Sequence, residues 1–142
     1  MLVHYFGCRD ALVRTALGVA RDEMVASVRG QLGGRRGDVQ ALIGALRLIV
    51  GSETNRPYFR LFAEVSAIAR ARPESFTGFG RASVHDWLPD LTRFLMDAGR
   101  DPHRAEAEAT LALAIVRGLL LDENATGETV RIQAAYDSIA DL

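Results

Sequence analysis

The sequence predicts an all-α domain, a bundle of about six helices. Apolar residues recur at intervals of three and four residues through most of the 142-residue chain. No run of β-branched residues alternates with polar residues over the length of a strand, and β-branched residues occur at most two in succession. Hydrophobic residues make up 49% and charged residues 25% of the chain, which is the composition of an ordinary globular domain. A chain of this length can fold around one core.

The first two helices are predicted over about residues 9–29 and 38–50. One face of the first helix carries seven apolar residues: Leu12, Val13, Ala16, Leu17, Ala20, Met24 and Val28. The glycine-rich segment GQLGGRRG then interrupts the pattern. Asp38 is suited to cap the second helix. That helix has the most regular amphipathic pattern of the chain, formed by Val39, Leu42, Ile43, Leu46, Ile49 and Val50.

The third helix is predicted to begin between Thr54 and Pro57 and to end near Pro73. Its apolar stripe consists of Tyr58, Leu61, Phe62, Val65, Ile68 and Ala69. The segment 74–98 is less regular, because two glycines weaken its start and Pro89 lies inside an otherwise helical pattern. We expect a kink or a break there.

The last two helices follow a turn at 99–102. The first of them, over about residues 103–122, is apolar on nearly all sides from Ala109 to Leu121. A helix of this kind must be covered all round, and a small domain can supply only part of that cover. Thr126 is predicted to cap the last helix, whose apolar face carries Ile132, Ala135, Tyr136, Ile139 and Leu142.

The first twelve residues are unusual for a chain end, because aromatic side chains stand at Tyr5 and Phe6. The segment LVHYFGCRDAL, residues 2–12, resembles the end of the helix-turn-helix in transcriptional regulators of the tetracycline-repressor (TetR) family. The resemblance implies that Phe6 is a buried aromatic residue. It also implies that Tyr5 and Arg9 contact the DNA backbone.

The resemblance divides the chain into a remnant of the DNA-binding domain, 1–8, and a ligand-binding and dimerisation domain, 9–142. It implies a ligand-responsive transcriptional regulator, more commonly a repressor, that binds operator DNA only in a full-length form. Most of the recognition helix would then precede Met1, so the chain alone is not expected to bind operator DNA. Val3 and Cys8 depart from the family pattern of an aromatic residue and a serine or asparagine cap. The alternative is a stand-alone dimeric ligand-binding or scaffolding protein without DNA binding.

The resemblance also implies a pocket for a small, largely apolar or amphipathic effector. Adaptable side chains suited to line it are Met24, Phe59, Phe62, Phe76, Phe79, Trp87, Leu88, Leu91 and Phe94. Any single one of them more often belongs to an ordinary core than to a pocket. The stretch from Phe76 to Phe94 is favoured, because a broken helix packs less uniformly and leaves space. Polar residues that could orient a ligand there, or lie on the surface, are Glu64, Arg81, His85 and Asp86.

A homodimer with twofold symmetry is expected, since the last two helices resemble the pair that meets its symmetry mate in this family. The residues assigned to this interface are Ala112, Ile115, Val116, Leu119, Ile132, Ala135, Tyr136 and Ile139. Ala107, Ala112 and Ala114 would permit a close approach of the helices.

No pattern typical of catalysis or metal binding is present, so we expect no enzyme activity, metal ion or cofactor. The histidines His4, His85 and His103 are far apart, HExxH and CxxC motifs are absent, and Cys8 is the only cysteine. A small helical enzyme is a rival interpretation, but the sequence shows neither a nucleophile–base pair nor a phosphate loop. The longest apolar run, Ala109 to Val116, is shorter than the ~20 residues that cross a bilayer. We therefore expect a cytoplasmic protein without a membrane partner.

Overall fold

The computed structural model describes residues 9–32, 37–72, 74 and 76–139. These residues contain helices and no strand, which confirms the all-α prediction. The helices are α1 (Arg9–Leu32), α2 (Val39–Val50), α3 (Arg56–Ala71), α4 (Phe79–His85), α5 (Leu88–Asp97), α6 (Pro102–Thr126) and α7 (Thr129–Ser138). None of them is both long enough and apolar enough to cross a membrane.

The main core lies where α6 packs against α2 and α5. Leu42, Leu46, Leu91 and Leu95 are buried there, and the regular apolar stripe of α2 accounts for the first two. The inner face of α6 contributes small side chains that permit close packing of the helices, namely Ala105, Ala109 and Ala112. This core fixes the position of α6.

A second, smaller core joins α1 and α3. Leu17, Val65 and Phe76 are buried in it, and half-buried Tyr58 and Phe79 pack against them. Because α1 contacts α2 as well as α3, the two cores are linked through α1. Helix α3 is therefore held from the side of α1 and α4, while α6 is held by α2 and α5.

The predicted break near Pro89 is confirmed. Helix α4 ends at His85, and α5 begins at Leu88, with Pro89 in the first turn of α5. Proline is tolerated there because the first turn needs no backbone donor. The bulky side chain of Trp87, between the two helices, is buried in the main core. The irregular segment thus forms two short helices.

Capping side chains set the start of α2 and α6. The Asp38 carboxylate accepts a hydrogen bond from the Ala41 amide at 3.0 Å, as the sequence predicts. Asp101 does the same for the Arg104 amide at 3.1 Å. The predicted cap at Thr126 is wrong, because Thr126 is the last residue of α6 and Glu128 precedes α7.

Helix α6 has two different apolar faces. One is buried in the main core, and the opposite face leaves a line of small and apolar residues exposed. We call this line the outer seam; it consists of Ala107, Leu111, Ala114, Gly118, Leu121 and Ala125. The spacing alternates between four and three residues, which is the repeat of a helix that packs along another helix. Leu111 and Leu121 are 55% and 60% exposed.

Candidate functional site

A groove lies between α3 and α6, and it reaches Phe59 of the main core. Its volume is about 630 Å³, and it is open to solvent along one side. The described residues that line it are Phe59, Phe62, Ala63, Ser66, Ala67, Arg70, Ala71, Arg117, Leu120, Leu121 and Asn124. We call it the α3–α6 groove.

Both walls of the α3–α6 groove follow from helical spacing. The residues from α3 recur every three or four positions, so they share one face of the helix. Small side chains on this face, at Ala63, Ala67 and Ala71, leave the space that larger ones would fill. On α6, Leu120 and Asn124 are four residues apart and stand on the opposite wall.

Aromatic rings join the inner end of the groove to the second core. The ring of Tyr58 packs edge-on against Phe59, with centroids 5.1 Å apart, and stacks on Phe62 at 6.1 Å. Phe62 also contacts Phe79 at 5.5 Å. These contacts hold Phe59 and Phe62 in place, so the apolar end of the groove is preformed.

Arg117 brings a positive charge into this apolar end. Its side chain is half-buried, Nη2 donates a hydrogen bond to the Ser83 carbonyl, and Cζ lies 5.4 Å from the centroid of Phe62. Burial lowers the pKa of the guanidinium from its ordinary value. Arginine nevertheless stays charged in proteins, so the charge is present at neutral pH.

The carboxylate of Asp86, after α4, is engaged by a different arginine. Nη1 of Arg21 in α1 lies 2.8 Å from Oδ2 of Asp86, although the contact does not meet the geometry of a hydrogen bond. Among the described residues, no carboxylate forms an ion pair with Arg117. Burial raises the pKa of the Tyr58 hydroxyl above its ordinary value of 10.0, although the charges of Arg21 and Arg117 lower it. Tyr58 is therefore a neutral hydrogen-bonding group at pH 7.

A second depression shares Leu120 and Asn124 with the α3–α6 groove. Its volume is about 540 Å³, and it is more polar, with Arg47, Arg56 and Arg60 around it. Arg47 pairs with Asp137 at 3.3 Å and Arg56 with Glu53 at 3.1 Å. The two depressions adjoin at Leu120 and Asn124, and Glu123 also lines the second one.

Two of the nine residues predicted for the pocket, Phe59 and Phe62, line the α3–α6 groove. Five others are buried elsewhere: Met24, Trp87, Leu91 and Phe94 in the main core and Phe76 in the second. Phe79 packs against the second core, and Leu88 lines a separate depression beside Pro89. The favoured stretch from Phe76 to Phe94 does not line the groove, because most of its large side chains are buried in the two cores.

The polar residues predicted near the pocket do not line the α3–α6 groove either. Glu64, Arg81 and His85 are exposed, and Asp86 pairs with Arg21. The residues that sequence reasoning missed are the small ones of α3 and Arg117 of α6. Ala63, Ala67 and Ala71 recur at intervals of four, which could have indicated an open face. Nothing in the sequence placed Arg117 opposite Phe62.

Three residues assigned to the dimer interface are buried in the single chain: Ala112, Val116 and Ile132 are 0%, 1% and 2% exposed. These three side chains pack within the single chain. The other five are half-buried: Ile115, Leu119, Ala135, Tyr136 and Ile139. The exposed apolar residues of α6 lie on the outer seam instead.

The two residues expected to contact DNA are not placed by the structure. Tyr5 lies outside the described residues, and Arg9 is the first residue of α1, with its side chain outside the description. Among the described residues, no group of three or more histidine, cysteine, aspartate or glutamate side chains is suited to hold a metal ion.

No family model, curated protein or solved structure matches the chain.

Proposed function

We propose that the chain is the ligand-binding and dimerisation domain of a ligand-responsive transcriptional regulator of the TetR type, with a small effector bound in the α3–α6 groove. The observation that carries the proposal is the groove itself. Its volume, about 630 Å³, falls within the roughly 300–1,000 Å³ typical of small-molecule sites. Its lining is mainly apolar with a few polar groups, as such sites require.

The link to DNA binding rests on the sequence resemblance at residues 2–12. Helix α1 begins at Arg9, within the segment that resembles the end of a helix-turn-helix and directly after residues 1–8, which the resemblance assigns to the DNA-binding domain. Helix α3 packs against α1. An effector that changed the distance between α3 and α6 would therefore act on the helix that follows the DNA-binding segment. This coupling is the mechanism proposed for the regulator.

The outer seam of α6 supports the homodimer. Two large apolar side chains, Leu111 and Leu121, are exposed on it, and small residues lie between them. No charged residue occurs at any of its six positions. Two copies of such a seam are self-complementary around a twofold axis. The proposed dimer therefore buries the outer face of α6, the face that the single chain does not cover.

Binding of N-phenyl-1-naphthylamine, a neutral apolar fluorophore, tests the ligand site. We expect one molecule per chain to bind with enhanced fluorescence. Ala67→Trp fills the groove and should weaken binding at least about tenfold. Ala26→Trp, at an exposed position of α1 away from the groove, is the matched control and should bind as the unchanged protein does. Equal binding by all three proteins would contradict the proposed site.

The regulatory part needs a second experiment. The chain is fused behind the DNA-binding domain of a TetR-type repressor, joined at Arg9, and operator binding is measured with and without the fluorophore. Release of the operator by the fluorophore, lost in the Ala67→Trp fusion, supports a regulator. A fusion that dimerises and binds the fluorophore while its operator affinity stays constant would favour the stand-alone binding protein.

A further inference from the structure

The charged residues that the structure describes along the α3–α6 groove are all positive. Its described lining contains two arginines, Arg70 and Arg117, and no aspartate or glutamate. Arg60, beside the adjoining depression, adds a third positive charge. Among the described residues, none of these three arginines forms an ion pair with a carboxylate. The described lining of the groove itself therefore supplies no carboxylate to its two arginines, although Glu123 lines the adjoining depression beside Arg60.

Of these three arginines, Arg117 is the one for which the lack of a counterion is most unfavourable, because it is half-buried while the other two are exposed. It is half-buried against the ring of Phe62, with its carbon Cζ 5.4 Å from the ring centroid. The guanidinium has five N–H donors, and the structure uses Nη2 to hydrogen-bond the Ser83 carbonyl. A partly buried charge without a counterion is unfavourable, because it has lost water without gaining an opposite charge. An anion bound in the groove would supply that charge.

The rest of the groove is suited to an apolar body. Phe59, Phe62 and Leu120 form its inner part, while Ala63 and Ala67 leave room along α3. The carbonyl and the ring that contact Arg117 hold its guanidinium at this apolar end. One charged group and one extended apolar surface therefore meet in the same space.

We infer that the effector is an amphipathic organic anion, with its apolar body between α3 and α6 and its anionic group bound by Arg117. The inference rests on the proposed function, since it names the ligand class of the same groove. Arg70 and Arg60, nearer to solvent, attract the anion towards the groove, and Arg117 forms the charge-assisted hydrogen bond.

The test compares two competitors that differ only in the head group, dodecanoate and 1-dodecanol, at a pH where the carboxylate is ionised. Each displaces N-phenyl-1-naphthylamine from the intact chain. We expect dodecanoate to displace the fluorophore at a concentration at least about tenfold lower than 1-dodecanol does, because a charged hydrogen bond is stronger than a neutral one.

Variants assign that preference to Arg117. Arg117→Leu keeps the apolar stem, and it should retain fluorophore binding while reducing the affinity for dodecanoate to that for 1-dodecanol. Arg117→Lys should retain part of the preference. Arg93→Leu, at an exposed arginine of α5 outside the groove, is the matched control and should retain all of it. If Arg117→Leu does not fold, the comparison of the two competitors on the unchanged protein still decides.

The outcomes separate the inference from the proposed function. If the fluorophore binds in the groove and both competitors displace it equally, the groove remains a ligand site and the anionic ligand class is wrong. An undiminished dodecanoate preference in Arg117→Leu would also overturn the inference. If the fluorophore does not bind at all, both the ligand site and the inference fail. If raising the protein concentration expels the fluorophore, a second copy covers the groove and the anion is not its occupant.

Discussion

Arg131 of α7 binds Asp122 of α6 with both of its terminal nitrogens. Nη1 and Nη2 lie 2.9 and 2.6 Å from the two carboxylate oxygens, and Nε donates to Glu128 at 2.6 Å. The three residues enclose the turn at Gly127, so these ion pairs join α6 to α7 across that turn. A similar network lies at the start of α6, where Glu108 accepts hydrogen bonds from Arg100 and Arg104 at 3.0 and 2.7 Å.

These networks predict a loss of stability in acid. Hydrogen bonds from Arg131 lower the pKa of Asp122 below its ordinary value of 3.8, and those from Arg104 and Arg100 lower the pKa of Glu108 below 4.5. The unfolded state then binds more protons than the folded state, so the stabilisation is present above the ordinary values and is lost as pH falls through the lowered ones. Urea unfolding from about pH 6 to about pH 3 measures this.

The variant for this prediction is Asp122→Asn with Glu108→Gln. It should unfold at a lower urea concentration than the unchanged protein near neutral pH, and the difference should shrink towards pH 3. Glu106→Gln, on an exposed side chain of the same helix that forms no ion pair among the described residues, should follow the unchanged protein. Parallel pH profiles for all three proteins would contradict the prediction.

The main core predicts a contrast between two leucines of α2. Leu46 is 2% exposed, and Leu48 is 70% exposed. Leu46→Ala should lower the free energy of unfolding by about 2–5 kcal/mol, because it leaves a cavity between α2 and α6. Leu48→Ala removes the same atoms from a side chain in water and should change it by less than about 0.5 kcal/mol. Urea unfolding of both variants checks this, and equal losses would show that Leu46 is not packed as described.

Two glycines predict opposite effects of the same substitution. Gly127 ends α6 with φ 71°, a backbone conformation that is unfavourable for a residue with a side chain, so Gly127→Ala should destabilise by about 1 kcal/mol. Gly44 lies inside α2, and an added Cβ would meet no atom within 4 Å. Gly44→Ala should therefore stabilise by about 0.5–1 kcal/mol. Thermal unfolding measures both shifts, and a change of the same sign in the two variants would contradict the assignment.

The outer seam predicts how a dimer is disrupted. Leu111→Glu with Leu121→Glu places two charges of the same sign on each seam, so sedimentation at micromolar concentration should show monomers. Val130→Glu is the control, since Val130 is 86% exposed on α7 and does not belong to the seam. It should sediment as the unchanged protein does. A monomeric unchanged protein, or a double variant that remains dimeric, would exclude the seam as the interface.

Local sequence signals predicted the helix boundaries more accurately than they predicted the residues that line the groove. The break at Pro89 and the cap at Asp38 depend on the chemistry of one residue and its neighbours, and both were predictable. Phe59 and Phe62 were predicted to line a pocket, but so were Leu91 and Phe94, which do not line the groove and lie in the main core, where Phe59 also packs. All four are large apolar residues on amphipathic helices. The sequence contains no signal that tells a core face from a groove face when both are apolar.

The amino-acid sequence alone specified the helices of this protein, because spacing, caps and turns act within a few residues along the chain. It also determined that α6 is apolar on nearly all sides. Which of those sides is used within the chain depends on how the helices pack against one another. Packing against α2 and α5 buries Ala105, Ala109 and Ala112, and it leaves the outer seam exposed. The same packing separates α6 from α3 and places Arg117 beside Phe62. These two residues are 55 positions apart in sequence, so their meeting depends on how whole helices are arranged.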